Sequence, residues 1–183
     1  MKNSGKRFEE DFAKSIPQYC FVHRLKDSAQ SYNNSTNTKF TWNNQCDYFV
    51  FDANTHLLYA IECKTTKFKS MSVQLDKDKD SSSMIKHHQI ESLKKMSGYD
   101  GLIAGFVFNF RHFEGQENAF ESTYWQSIDD FDSMMGGNGK KSFNELDLIM
   151  NNAVKISGSK KRTRYAWDID GFLKNMNVQE VLV

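Results

Sequence analysis

The stretch QCDYFVFDANTHLLYAIECKTTKF, residues 45–68, constrains this chain more than any other. It reads as two apolar strands, roughly 46–52 and 57–64, joined by the turn-forming ANTH, and so as an antiparallel hairpin. Charges interrupt both strands at the same end: Asp47 opens the first, while Glu62 and Lys64 close the second. Side chains alternate along a strand, so Glu62 and Lys64 share one face and Cys63 points to the other. Burying such charges unpaired costs on the order of several kcal/mol each. Three of them at matched strand ends therefore require either mutual pairing or a common ligand.

The elements around the hairpin follow from periodicity and punctuation. KRFEEDFAKSI, 6–16, places Phe8, Phe12 and Ile16 on one helical stripe, and Pro17 ends the helix. At about 100° per residue Glu9 borders that stripe and Glu10 points away from it. Glu9 is thus the carboxylate able to face the interior, unless it is a solvated residue favoured by the helix dipole. YCFVHRL, 19–25, is a short strand, and the polar segment 27–45 is a long projecting loop that carries Tyr32, Phe40 and Trp42. Residues 70–83 read as a weakly structured hydrophilic connection, followed by a helix, SMIKHHQIESLKKM, with Ser83 as its N-cap. Gln89 falls within the apolar arc of Ile85, Leu93 and Met96, either as a satisfied core amide or as a polar group turned inward. GLIAGFVFNF, 101–110, is a continuous apolar run expected as a central strand buried on both faces. STYWQSI then reads as a strand, DDFDSMM as a helix, GGNGKKS as a turn and FNELDLIMNNA as a further helix. This order predicts an α/β fold, a mixed central sheet flanked by helices. A single domain is expected over 1–183, with 114–183 as its C-terminal extension.

Composition narrows the function classes. A chain of 183 residues with 39% hydrophobic and 14% aromatic residues has enough apolar surface for one sizeable core and is not a disordered protein. No run of some 18 apolar residues predicts a membrane span, and MKNSGKRFEEDF lacks the apolar core of a secretory signal, so a cytoplasmic protein is expected. Cys20, Cys46 and Cys63 show neither CxxC nor zinc-ligand spacing and read as packed, reduced thiols. A net charge of +1 announces no global field for nucleic acid. Lysines nevertheless gather after Glu62 (Lys64, Lys67, Lys69) and along 77–95, where Lys86 lies, and KKRTR occupies 160–164. Such runs are either phosphate contacts or solvated faces.

Asp47 followed by Glu62-Cys63-Lys64 fits D-x(n)-E-x-K, with the hairpin setting the halves side by side. Two carboxylates on neighbouring strands suit a hard cation such as Mg²⁺, with Mn²⁺ as a substitute, and the Cys63 carbonyl offers another oxygen. Such a cation acidifies water and offsets charge on a phosphate, and an adjacent lysine stabilises the pentavalent transition state. The pattern is short and also describes a surface salt bridge; its place at the ends of paired apolar strands is what favours a site.

These residues resemble the PD-(D/E)xK nuclease superfamily and, more narrowly, the RecU-type Holliday junction resolvases, whose relatives are also labelled penicillin-binding protein-related factor A. The likeness runs through GKRFEEDF, YCFVHRLKD, CDYFVFD, AIECKTT, KHHQIESLKKM, GLIAGFVFNFR and GKKSF. It implies a restriction-endonuclease-like fold with Asp47 and Glu62 as metal ligands and Lys64 as the catalytic lysine. Glu9 matches the acidic residue of the first helix and Gln89 the glutamine of HQ. Arg24 stands where a basic residue approaches the scissile phosphate, with Lys67 and Lys86 as further DNA contacts. Segment 27–45 corresponds to a stalk that projects into a four-way junction, Phe40 to its stacking aromatic and Lys39 to a phosphate contact. The resemblance further implies a homodimer making paired symmetric nicks that leave 5′-phosphates. It fits a bacterial or phage-encoded protein. The alternatives are a restriction-like or repair endonuclease acting on duplex or flap DNA, and a non-catalytic DNA-binding recombination accessory.

Overall fold

The computed structural model describes residues 4–25, 44–77, 82–113, 116–137 and 139–180, with the side chains of 177–180 excepted. Helix α1 (Ser4–Ser15) leads into β1 (Cys20–Arg24), and the predicted hairpin forms from β2 (Tyr48–Asp52) and β3 (Leu57–Thr66). A short β4 (Ser70–Ser72) precedes α2 (His87–Ser97), β5 (Leu102–His112), β6 (Phe120–Ser127) and α3 (Ile128–Gly136). The rest comprises β7 (Ser142–Asn144), α4 (Glu145–Met150), β8 (Val154–Ile156), β9 (Gly158–Lys160), β10 (Tyr165–Trp167) and α5 (Ile169–Glu180).

Six strands form the central sheet in the order β1-β2-β3-β5-β6-β8. Within it only β3 and β5 run parallel; the other pairings are antiparallel, so the sheet is mixed and flanked by helices, as the element order predicts. The parallel pair needs a crossover, and α2 supplies it. One face of the sheet packs Ala60, Phe106 and Phe108 against Leu93 of α2 and Phe131 of α3. The other packs Tyr48, Tyr59 and Val107 with Phe8 and Phe12 of α1 and Phe172 of α5. With helices on both sides, every residue of β5 from Ala104 to Phe110 is buried, which explains why that strand reads as an unbroken apolar run. The three cysteines are free and buried. No helix among the described residues is long and apolar enough to cross a membrane.

Three expectations are corrected. Segment 70–83 is not a weakly structured connection: β4 pairs with β7, Met71 and Val73 are buried, and Val73 forms a β-bridge with Ile85. That bridge holds Ile85 extended, so α2 begins at His87 after Lys86, and Ser83 is not its cap. Likewise FNELDLIMNNA divides into β7 and a six-residue α4, because Ser142–Asn144 is occupied by pairing with β4.

Candidate active site

The hairpin register sets Tyr48 opposite Ile61, and the Asp47 amide donates to the Ile61 carbonyl at 3.0 Å. Asp47 therefore continues the pairing at the level of Glu62. Its Oδ2 accepts the Cys63 N–H at 2.7 Å, pinning the carboxylate across the strand. Arg24, the last residue of β1, is paired with Tyr48 and so stands beside the same end of the sheet.

Glu62 is buried, and its Oε1 accepts from Lys64 Nζ at 2.6 Å and from Gln89 Nε2 at 2.5 Å. The glutamine's other end, Oε1, accepts the Lys86 backbone N–H at 3.0 Å and satisfies a donor that the start of α2 would otherwise leave open. One side chain thus caps the helix and fixes the carboxylate on the strand beneath it. Gln89 is a polar group turned inward whose partner is a carboxylate of the cluster, Glu62, together with the backbone at the start of α2.

Electrostatics follow from this crowding. Burial is the main reason that the Glu62 carboxyl is pushed up to about 7; the charges of Asp47 and Glu9 add to it and Lys64 opposes it. Burial works against the charge on Lys64, but the Glu62 carboxylate outweighs it, and Asp47 adds to the effect, so the lysine holds its proton above the usual range. The Cys63 thiol is pushed well above its ordinary value by burial and the surrounding carboxylates, which leaves it inert; its backbone N–H is the useful group.

Glu9 lies at the edge of this cluster. Its carboxylate accepts from Arg24 Nη2 at 2.8 Å and its backbone carbonyl from the Tyr48 hydroxyl at 3.2 Å. The carboxylate that α1 buries is Asp11, 4% exposed, and not Glu9. Asp11 accepts from Arg164 Nη1 at 3.0 Å and from the Tyr165 N–H at 3.3 Å. Sequence reasoning missed it because Asp11 flanks the Phe8–Phe12 stripe on the side opposite Glu9, and its partners come from the far end of the chain.

Lys67 is exposed, with Nζ 5.8 Å from the centroid of the Phe68 ring. Lys86 is half-buried at the start of α2. Lys39, Phe40 and nearly all of the expected stalk lie outside the described residues. Sequence reasoning also missed a polar network one residue past Lys64. Thr65 Oγ1 donates to Asn109 Oδ1 at 2.6 Å, Arg111 Nε donates to Thr65 Oγ1 at 3.2 Å, and Asn109 Nδ2 donates to Glu121 Oε2 at 3.0 Å. Its only sequence signal is Asn109 itself, a lone amide within an apolar strand.

The donor set suits a hard divalent cation: Asp47 and Glu62 offer carboxylate oxygens on paired strands, while Glu9 is matched by Arg24 and Lys64 offsets only one charge. Among the described residues no group of three or more His, Cys, Asp or Glu side chains converges as a metal shell. A cation held by Asp47 and Glu62 would therefore keep much of its water, which is the habit of Mg²⁺.

No protein-family model matches the chain. The SPbeta prophage-derived uncharacterized protein YotM of Bacillus subtilis strain 168 is 33% identical over 130 residues, which are 70% of this chain and 58% of that protein. The chain thus spans less than two thirds of that relative's length. Among solved structures, the Holliday junction resolvase Hjc of Archaeoglobus fulgidus aligns over 82% of this chain and 95% of its own, with a TM-score of 0.46 and 15% identity.

Proposed function

We propose that this protein is a Mg²⁺-dependent, structure-selective endodeoxyribonuclease of the RecU type, which resolves four-way DNA junctions by paired nicks. The observation that carries this reading is the buried Glu62, shared by Lys64 and Gln89 while Asp47 is tied across the hairpin at the same level. A buried carboxylate held this firmly beside a second carboxylate and a protonated amine is costly as mere architecture and suited to phosphodiester hydrolysis.

In this reading Asp47 and Glu62 hold the cation, with the Cys63 carbonyl as a further oxygen and Mn²⁺ as a substitute. When bound, the ion supplies Lewis-acid charge at the phosphate and acidity for water. Lys64 keeps its proton beside Glu62 and offers positive charge to the phosphoryl oxygens, where negative charge develops. Gln89 holds Glu62 in one orientation through its second bond to the start of α2. Arg24, in its ion pair with Glu9, meets the DNA backbone next to the scissile bond, and Lys67 and Lys86 contact flanking phosphates. Lys39 and Phe40 engage the junction centre. Two copies related by a two-fold axis deliver the symmetric cuts and leave 5′-phosphates.

The test is incubation with labelled four-way junctions, linear duplex and flaps, with Mg²⁺ or EDTA. Mg²⁺-dependent symmetric nicks confined to junctions are the expected result. Asp47→Asn should lower cleavage by about a hundred- to a thousandfold while junction binding persists. Equal cutting of duplex would replace junction selectivity with a general repair or restriction role, and binding without cleavage would leave an accessory protein.

A further inference from the structure

A separate groove of about 400 Å³ opens between the start of α1, the far ends of β5 and β6, and the β9–β10 hairpin. Five cations line it, Arg7, Arg111, Lys160, Arg162 and Arg164, against two carboxylates, Asp11 and Glu121, a surplus of three on a chain whose net charge is only +1. The carboxylates are already committed. Asp11 serves Arg164 and the Tyr165 N–H, and Glu121 accepts from Asn109. The wall of the groove is anchored: Arg7 donates to the Thr163 carbonyl, and Trp167 packs edge-on to Phe8 at 5.2 Å. At its rim Lys160 and Arg162 are exposed and form no ion pair among the described residues.

We propose that this groove is a phosphate-backbone track for a duplex arm of DNA, with Lys160 and Arg162 as its principal phosphate-binding groups. The chemistry of the lining points to this occupant. The polar groups at the base satisfy one another, so a small anion would find no buried donor set, whereas the uncommitted cations sit along an open rim and suit a repeating polyanion. Thr65, to which Arg111 donates, directly follows Lys64 on β3, but alternation turns its side chain away from Glu62 and Lys64, so the groove lies on the α1 side of the sheet and the carboxylates on the α2 side. This inference rests on the nuclease reading for its substrate, and adds that the C-terminal hairpin supplies affinity without sequence information.

The experiment measures binding of a 25-base-pair duplex and a four-way junction to Asp47→Asn protein in EDTA, from low to moderate salt, so that binding is read apart from cleavage. The variant pair Lys160→Gln with Arg162→Gln removes the two principal cations of the track. The pair Lys140→Gln with Lys174→Gln removes the same charge from exposed lysines outside the groove. The K160Q/R162Q protein should bind both substrates about tenfold more weakly. Its salt slope should be shallower by about 1.8, since each phosphate left without its cation lowers the slope by roughly 0.9. K140Q/K174Q should differ little from the parent. Equal slopes for the two pairs, in a protein that binds and whose Asp47 form cleaves, would overturn the track and leave the nuclease reading standing. A parent protein that neither binds nor cleaves DNA would overturn both.

Discussion

Glu62 concentrates the opposing forces of the site in one side chain. Its carboxyl is raised from 4.5 to about 7, chiefly by burial. Between those values the folded protein retains a proton that the unfolded chain has released, so stability contributed by this group falls as pH rises through the window. Lys64 acts in a different range: its folded value is raised above 10.5, so its contribution is fully present below that and fades only in strong alkali. In metal-free protein, the melting temperature of the parent should therefore fall between pH 5 and pH 8 relative to Glu62→Gln, which has no carboxyl to ionise. Parallel melting profiles for the two proteins in chelator would show that Glu62 carries no such shift. The position of Glu62 on the hairpin was readable from alternation along the strand. Its bond to Gln89 was not, because the two lie 27 residues apart and meet only when α2 crosses the sheet.

At the scale of elements, the site depends on the close approach of β6 to β5, the strand that runs parallel to the site-bearing β3. Gly105 of β5 permits this approach. A Cβ added there would come within 2.4 Å of the Gln126 carbonyl and 2.8 Å of the Trp125 ring. Neither the strand backbone nor a buried indole can move aside cheaply, so Gly105→Ala should destabilise the fold by about 1–3 kcal/mol or more. Urea denaturation gives that figure, and a midpoint equal to the parent's would contradict it. The long elements were legible because their signals are local: β5 as an apolar run, β3 as an apolar strand after the ANTH turn, α1 by its stripe and by Pro17. The short ones were not. Ser70 finds its partner in Asn144, and nothing within the window around 70–83 records that a strand so distant will lie beside it. The same pairing moved the start of α2 by drawing Ile85 into a bridge.

For the whole molecule, the core on the α1 side of the sheet is built from both ends of the chain. Phe8 and Phe12 share it with Trp167, Ile169, Phe172 and Leu173, while Arg164 reaches back to Asp11. Each large apolar side chain buried there is worth about 1.5–3 kcal/mol, so a chain ending at Ser157 loses a stability comparable to that of a whole small domain. It should show neither near-ultraviolet circular dichroism nor a cooperative melt; a sharp transition in calorimetry would refute a shared core. The sequence by itself determined the hairpin, the face on which Glu62 and Lys64 stand, and the mixed order of strands and helices. Those follow from alternation, helical period and turn residues, all of which act between near neighbours. Only the tertiary structure decided that Asp11 and not Glu9 is buried in α1, that Gln89 holds Glu62, and that the basic C-terminal hairpin lines a groove with α1 and the ends of β5 and β6. The physical reason is that desolvation and hydrogen-bond partnership depend on what arrives from elsewhere in the chain, and local periodicity carries no record of it.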